Sequence, residues 1–260
     1  MTPAITDLFS LTGRVAVVTG ATSGLGTTFA RALAEAGADV VITGRRTERL
    51  PEAAAKVVSS GRRCLPITAD VRSPADCDRV ISEAVHQLGR VDVLVNNAGT
   101  GHAARALTED PAEFEAVLAT NLSGAHHMAQ AAARAMEVAG NGGSIVNVAS
   151  ALALAVSDVP QAAYTASKAG LLGLTRDLAM QWSAHHRIRV NALAPGFFPS
   201  EMTAPLLAHE KATAGVLTRI PMGRLGRPEE LIGPLLLLAS DAGSYLTGTT
   251  LAVDGGWTMH

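Results

Sequence analysis

Three side chains near the middle of a 260-residue chain have the types and spacing to move a proton at an alcohol or carbonyl oxygen. Tyr164 and Lys168 lie four apart in a segment that starts near Pro160 and continues as helix, so they share one face and reach a common ligand. A phenol of ordinary pKa, about 10, is a poor acid–base group at neutral pH. An ammonium beside it stabilises the phenolate and lowers that pKa. Ser150, at the end of an apolar β-rich run, can donate a hydrogen bond to a carbonyl oxygen. A Tyr-x3-Lys pair on its own also suits a solvated helix face, so its neighbours in the fold decide its meaning.

A second group of residues suits a phosphate. The stretch Thr19-Gly20-Ala21-Thr22-Ser23-Gly24-Leu25-Gly26 follows a β-rich run and opens an amphipathic helix. Glycines at Gly20, Gly24 and Gly26 permit a tight turn and bring the backbone N–H groups of Thr22, Ser23 and Leu25 close to an anion. The helix dipole also favours negative charge there. The spacing Gly-x3-Gly-x-Gly, placed between a first strand and a first helix, points to a dinucleotide site. The next strand ends Thr43-Gly44-Arg45-Arg46. An acid at that tip would accept hydrogen bonds from the adenosine ribose hydroxyls. Two guanidiniums instead suit a 2′-phosphate, so NADP(H) is expected over NAD(H), although the turn itself carries no basic residue.

These groups need a scaffold. The apolar pattern predicts strands over residues 15–19, 39–43, 64–68, 91–96, 144–149, 188–193 and 249–253, several of them apolar throughout, as in a parallel sheet covered on both faces. Helix signals fill the intervals: Gly37 as a stop, Ser73-Pro74 as a start, Asp110-Pro111 with Glu113 as cap, first-turn proline and N3 acid, then Pro160 and Pro228. The alternation predicts an α/β fold, a doubly wound Rossmann sheet of about seven parallel strands with helices on both faces, as a single domain over residues 1–260. Residues 197–226, rich in Gly and Pro and weakly periodic, are expected to cross the carboxyl edge of the sheet as a substrate lid.

Composition narrows the partners. Apolar residues make up 48% of the chain and charged residues 17%, enough apolar material for a packed core. Aromatics at 3% are too sparse for base-stacking platforms, and a net charge of −2 offers no general attraction to nucleic acid or anionic lipid. Residues 1–14 lack a signal-peptide pattern, and the apolar stretch 231–239, interrupted by Pro234, is far shorter than the ~20 residues of a membrane span. Cys64 and Cys77 read as reduced thiols of a cytoplasmic protein. Among the eight histidines the adjacent pairs His126-His127 and His185-His186 diverge on a helix, so no metal is expected, while His102 is placed to line a substrate pocket. A serine hydrolase would need G-x-S-x-G, and Gly20–Gly24 sets Ser23 one position away from that pattern.

In order and spacing the chain resembles the short-chain dehydrogenase/reductase family over essentially its whole length. The matching elements are Thr19-Gly20-x3-Gly24-x-Gly26, Asp70-Val71, Asn96-Asn97-Ala98-Gly99, Asn121, Ser150, Tyr164-x3-Lys168, Pro195-Gly196 and the closing Asp254-Gly255-Gly256. The resemblance implies that Tyr164 is the general acid–base and that Lys168 tunes it and binds the nicotinamide ribose. It implies that Ser150 orients the substrate oxygen and Asn121 holds a relay water. Asp70 and Val71 would meet the adenine, Asn97, Ala98 and Gly99 would shape the pocket, and Pro195, Gly196 and Phe198 would face the nicotinamide. Where the family often has Thr after Pro-Gly, Ser200 stands in, and the Ser150–Tyr164 interval is one residue longer than the commonest one. The implied reaction interconverts a small ketone and a secondary alcohol, with carrier-protein 3-oxoacyl reduction or sugar and polyol oxidation as alternatives. A homotetramer, or a homodimer, is implied through the Ala-rich segments 112–138 and 162–184 and the 251–257 region. A non-catalytic cofactor-sensing module is the competing class, and it would tolerate loss of Tyr164, Lys168 or Ser150; all three are present.

Overall fold

The computed structural model describes residues 4–259. Seven strands, β1 (Val15–Thr19), β2 (Asp39–Gly44), β3 (Cys64–Thr68), β4 (Val93–Asn96), β5 (Gly143–Val148), β6 (Ile188–Pro195) and β7 (Thr250–Val253), form one sheet in the order β3-β2-β1-β4-β5-β6-β7. Every pairing is parallel. The helices are α1 (Ile5–Leu8), α2 (Gly24–Glu35), α3 (Leu50–Val58), α4 (Pro74–Leu88), α5 (Pro111–Leu118), α6 (Gly124–Ala139), α7 (Ala162–His186), α8 (Ala204–Leu207), α9 (Glu210–Thr218) and α10 (Ile232–Ala239). The doubly wound Rossmann arrangement expected from the β-α alternation is present.

Strand alternation divides the core in two. Ala16, Val18, Val40 and Ile42 pack with Phe29 and Leu33 of α2 and Leu235 and Leu238 of α10. Val15, Val17, Val41 and Leu94 pack on the other face with Val80 and Ile81 of α4 and Met128 and Met136 of α6. Because β1 has β2 on one side and β4 on the other, the chain leaves toward opposite faces at the carboxyl ends of β1 and β4. A crevice opens at that switch point.

Most start signals act as expected. Asp110 caps α5 by accepting from Ala112 N at 2.9 Å, and Ser73 caps α4 by accepting from Asp76 N at 3.2 Å. Some boundaries differ. The fourth strand begins at Val93; the Asp92 carboxylate accepts from Val15 N at 2.9 Å and from Arg90 at the base of β1, while the Asp92 backbone still bonds Val15 O and Ser144 N. The Ala-rich segment 112–138 is not one helix: a π-helical turn, Ala119–Ser123, separates α5 from α6. The segment 197–226 carries the short helices α8 and α9 rather than plain loop.

Candidate active site

The glycine turn is built by exclusion of side chains. Gly20 has φ +65°, and a Cβ there would lie 2.7 Å from Ala98 Cα; a Cβ on Gly26 would strike the Gly20 carbonyl and lie 2.5 Å from Asn97 Nδ2. Asn97 holds the turn from the end of β4, donating to Thr19 O at 2.9 Å and Gly20 O at 3.1 Å. The Thr19 hydroxyl in turn accepts from the backbone of Asn97 and Ala98. Gly26→Ala is therefore expected to cost about 1–3 kcal/mol of stability by overpacking and to weaken dinucleotide binding more than tenfold. Denaturant unfolding and calorimetric titration measure the two effects.

A cavity of about 610 Å³ runs from this turn across the carboxyl edge of the sheet. All the expected cofactor residues border it, from Thr22, Ser23, Gly24, Leu25, Arg45 and Arg46 at one end to Pro195, Gly196, Phe198 and Ser200 at the other. Asp70, Val71, Ala98 and Gly99 lie between, and Ser150, Tyr164 and Lys168 also line the cavity wall. Asp70 receives a side-chain fork and a backbone N–H from Arg72, which holds its carboxyl below the usual carboxylate range. The Phe198 ring is buried in the core against Gly226, so this residue borders the cavity chiefly as a wall.

Tyr164 and Lys168 project from the first turns of α7, one helical turn apart, as their spacing requires. Burial pushes the Tyr164 phenol up, and a hydrogen bond with the Ser150 side chain opposes that rise. The Lys168 ammonium is buried without a carboxylate partner, and burial lowers it to about 8. Its Nζ donates to Val148 O at 2.7 Å and stands 5.8 Å from the centre of the Tyr164 ring. The largest influence on the phenol here is its burial.

Asn121 is fully buried behind this group, just outside the cavity lining. The π turn presents its side chain to the segment after β4: Oδ1 accepts from Thr100 N at 2.8 Å, and Nδ2 donates to Thr100 O at 2.9 Å and Ser167 Oγ at 3.0 Å. Both amide hydrogens are thus committed to protein, and one lone pair of Oδ1 remains for a water.

Several contributors escape a reading of motifs alone. Asn96 donates to Asn147 Oδ1 at 3.0 Å and Asn147 donates to Thr175 Oγ1 at 2.9 Å, a buried ladder that fixes α7, and with it Tyr164, on β4 and β5. An Asn inside the apolar run Ile145–Val148 was the available signal. Thr203 and Ser200 satisfy one another, Ser200 N donating to Thr203 Oγ1 at 2.9 Å and Thr203 N to Ser200 Oγ at 3.2 Å. Glu201 and Met202 join the cavity wall from the same turn. His102 does not appear in that wall. Burial pushes the thiols of Cys64 and Cys77 up to about 12, so neither is a nucleophile at neutral pH. Among the described residues no group of three or more His, Cys, Asp or Glu is placed to hold a metal, and no helix is long and apolar enough to cross a membrane.

Comparison with known proteins agrees with this geometry. A family model described as enoyl-(acyl carrier protein) reductase matches residues 20–258. The 2-dehydro-3-deoxy-D-gluconate 5-dehydrogenase of Escherichia coli is 43% identical over 97% of this chain and 98% of its own. The cis-4-hydroxycyclohexanecarboxylate dehydrogenase of Sinomonas cyclohexanicum is also 43% identical, over 94% of this chain and 96% of its own. Among solved structures, a gluconate 5-dehydrogenase from Burkholderia cenocepacia in complex with NADP and tartrate superposes with a TM-score of 0.93 at 35% identity, covering 99% of this chain and 100% of the other. With the glycine turn, the Ser150–Tyr164–Lys168 group and 43% identity over 97% of the chain all in agreement, the chain belongs to the short-chain dehydrogenase/reductase family, oxidoreductases that act on CH–OH and C=O groups.

Proposed function

We propose that the protein interconverts a small, carboxylate-bearing ketone and its secondary alcohol with NADP(H). The observation that carries this reading is the convergence of Ser150, Tyr164 and the Lys168 ammonium at one end of a cavity whose other end is a phosphate turn. The glycine cradle, closed to any Cβ at Gly20 and Gly26, and the helix start at α2 suit a pyrophosphate. When bound, the nicotinamide cofactor supplies or accepts the hydride.

The chain supplies the rest. In the reductive direction Tyr164 gives its proton to the substrate oxygen, and Ser150 donates to that oxygen as charge develops on it. A phenol held neutral by its burial is already in the form that reduction needs. Lys168 favours the phenolate left behind and would hold the ribose hydroxyls of a bound cofactor, while Asn121 positions α7 through Ser167 and offers one lone pair to a relay water. Asp70 and Val71 bound the adenine end; Asn97, Ala98, Gly99, Pro195 and Gly196 shape the path toward the nicotinamide end. Residues 197–226 act as the lid of one domain spanning residues 1–260, and the Ala-rich helices α6 and α7 supply the contacts of a homotetramer. Cys64 and Cys77 suit a reducing cytoplasm.

Two features support the finer choices. The tip of β2 lacks an acid and carries Arg45 and Arg46, and the Burkholderia cenocepacia relative holds NADP. The relatives named above are dehydrogenases of a keto-deoxy sugar acid, a hydroxycyclohexane acid and gluconate, all of them carboxylates. The test is turnover of keto and hydroxy carboxylates, set against uncharged ketones and alcohols, with NADPH/NADP and NADH/NAD side by side. Reduction of keto acids with NADPH is the expected result. Tight NADPH binding without turnover across the panel would instead support a cofactor-sensing module. Arg46→Ala should weaken NADPH about tenfold, the loss of one charge-assisted contact, and leave NADH nearly unchanged in a fluorescence titration.

A further inference from the structure

The ribose end of the cavity has an unusual source of negative charge. β2 ends in Gly44, and a Cβ there would lie 2.8 Å from Thr22 Cγ2, so the strand tip has little room for an acidic side chain of its own. A carboxylate arrives instead from across the cleft. Glu201, in the lid segment, accepts from Arg46 Nη1 at 2.9 Å and from Arg49. Arg46 is itself held in place, donating through Nη2 to Ser23 Oγ at 2.6 Å and Thr22 Oγ1 at 3.2 Å.

We propose that Glu201 sets the cofactor preference by occupying, on Arg46, the place of a ribose 2′-phosphate. A phosphorylated cofactor must displace this carboxylate, whereas an unphosphorylated one retains it as acceptor for its 2′-hydroxyl. The inference rests on the nicotinamide-dinucleotide reading above and adds the residue that discriminates between its two forms.

The geometry supports a carboxylate with two positions. Glu201 borders both the main cavity and a second one of about 740 Å³ between α2 and α3. Arg46 lines only the first of these and Arg49 only the second, so the carboxylate keeps one guanidinium when it yields the other. The backbone beneath it is fixed by the reciprocal Ser200–Thr203 hydrogen bonds, which confines the exchange to the Glu201 side chain. The two arginines and Ser23 also hold the Glu201 carboxyl down to about 2, so it is an anion throughout any working pH range. Two anions on one guanidinium repel, and the phosphate dianion carries the larger share of that penalty.

Glu201→Gln tests the assignment. The side chain is more than half exposed, so the fold accommodates the change. Dissociation constants for NADPH and NADH, measured by calorimetry on the full chain, should show the NADPH-over-NADH affinity ratio rising about tenfold, the scale of two exposed ion-pair contacts and one repulsion removed. Adenosine 2′,5′-bisphosphate against 5′-AMP should shift in the same direction, since these probes carry the ribose phosphate without the nicotinamide. A ratio that is unchanged, or that moves toward NADH, overturns the inference and leaves the dehydrogenase reading standing. Failure of the unsubstituted protein to bind either cofactor overturns both.

Discussion

Tyr164→Phe should lower the rate of ketone reduction about 10³-fold while NADPH affinity stays within about twofold, the contribution expected of a positioned general acid. The substitution removes one oxygen and keeps the ring that packs against the buried cluster of Ala151, Leu152, Ile220 and Trp257. Only one buried hydroxyl is removed, so stability should fall by only about 1 kcal/mol. Burial raises the phenol's pKa, and the neutral hydroxyl persists well beyond pH 7; a Phe variant therefore loses a proton donor that is fully protonated in the parent. Single-turnover reduction with pre-bound NADPH isolates the chemical step from cofactor exchange. A variant within tenfold of the parent rate would mean that Ser150 or solvent protonates the substrate oxygen, and the role assigned to Tyr164 would fall.

The parts of this site that were legible in the sequence are those whose physics is local. Gly20, Gly24 and Gly26 announce a turn that side chains cannot enter, and Tyr164 and Lys168 announce a shared helix face, because both follow from chain geometry over a few residues. The strands were legible because burial on both faces makes them apolar throughout. What escaped depends on encounters between distant segments. The π turn at Ala119–Ser123 interrupts an Ala-rich stretch that has every local reason to remain α-helical, and Asn121's bonds to Thr100 and Ser167 accompany it. Glu201 looks like an ordinary loop acid until the lid brings it to Arg46 and Arg49, more than 150 positions earlier in the chain. Spacing places an ammonium nearby, but only the folded chain shows Nζ bonded to Val148 O and the phenol enclosed.

Lys168 carries the second large effect, and its signature is a pH profile. Burial lowers the ammonium to about 8, so it is charged below that pH and neutral above it. Reduction leaves a phenolate on Tyr164 in the transition state, which a neighbouring positive charge stabilises. The kcat/KM for ketone reduction should accordingly be level at neutral pH and fall through a midpoint of about 8. The phenol cannot produce this limb, because its own pKa is shifted upward from an ordinary value that already lies above it. Lys168→Met should reduce kcat/KM about 10²-fold at pH 7 and abolish the limb, leaving a low and flat profile. The Met stem fills the same buried space and removes an unpaired buried charge, so the melting temperature should hold while activity falls. Lys168→Arg supplies the decisive contrast: a guanidinium stays charged to far higher pH, so whatever rate its bulkier geometry permits should continue level past pH 9. An alkaline limb of unchanged midpoint in the Arg variant would assign the titration to another group and remove the electrostatic role from Lys168.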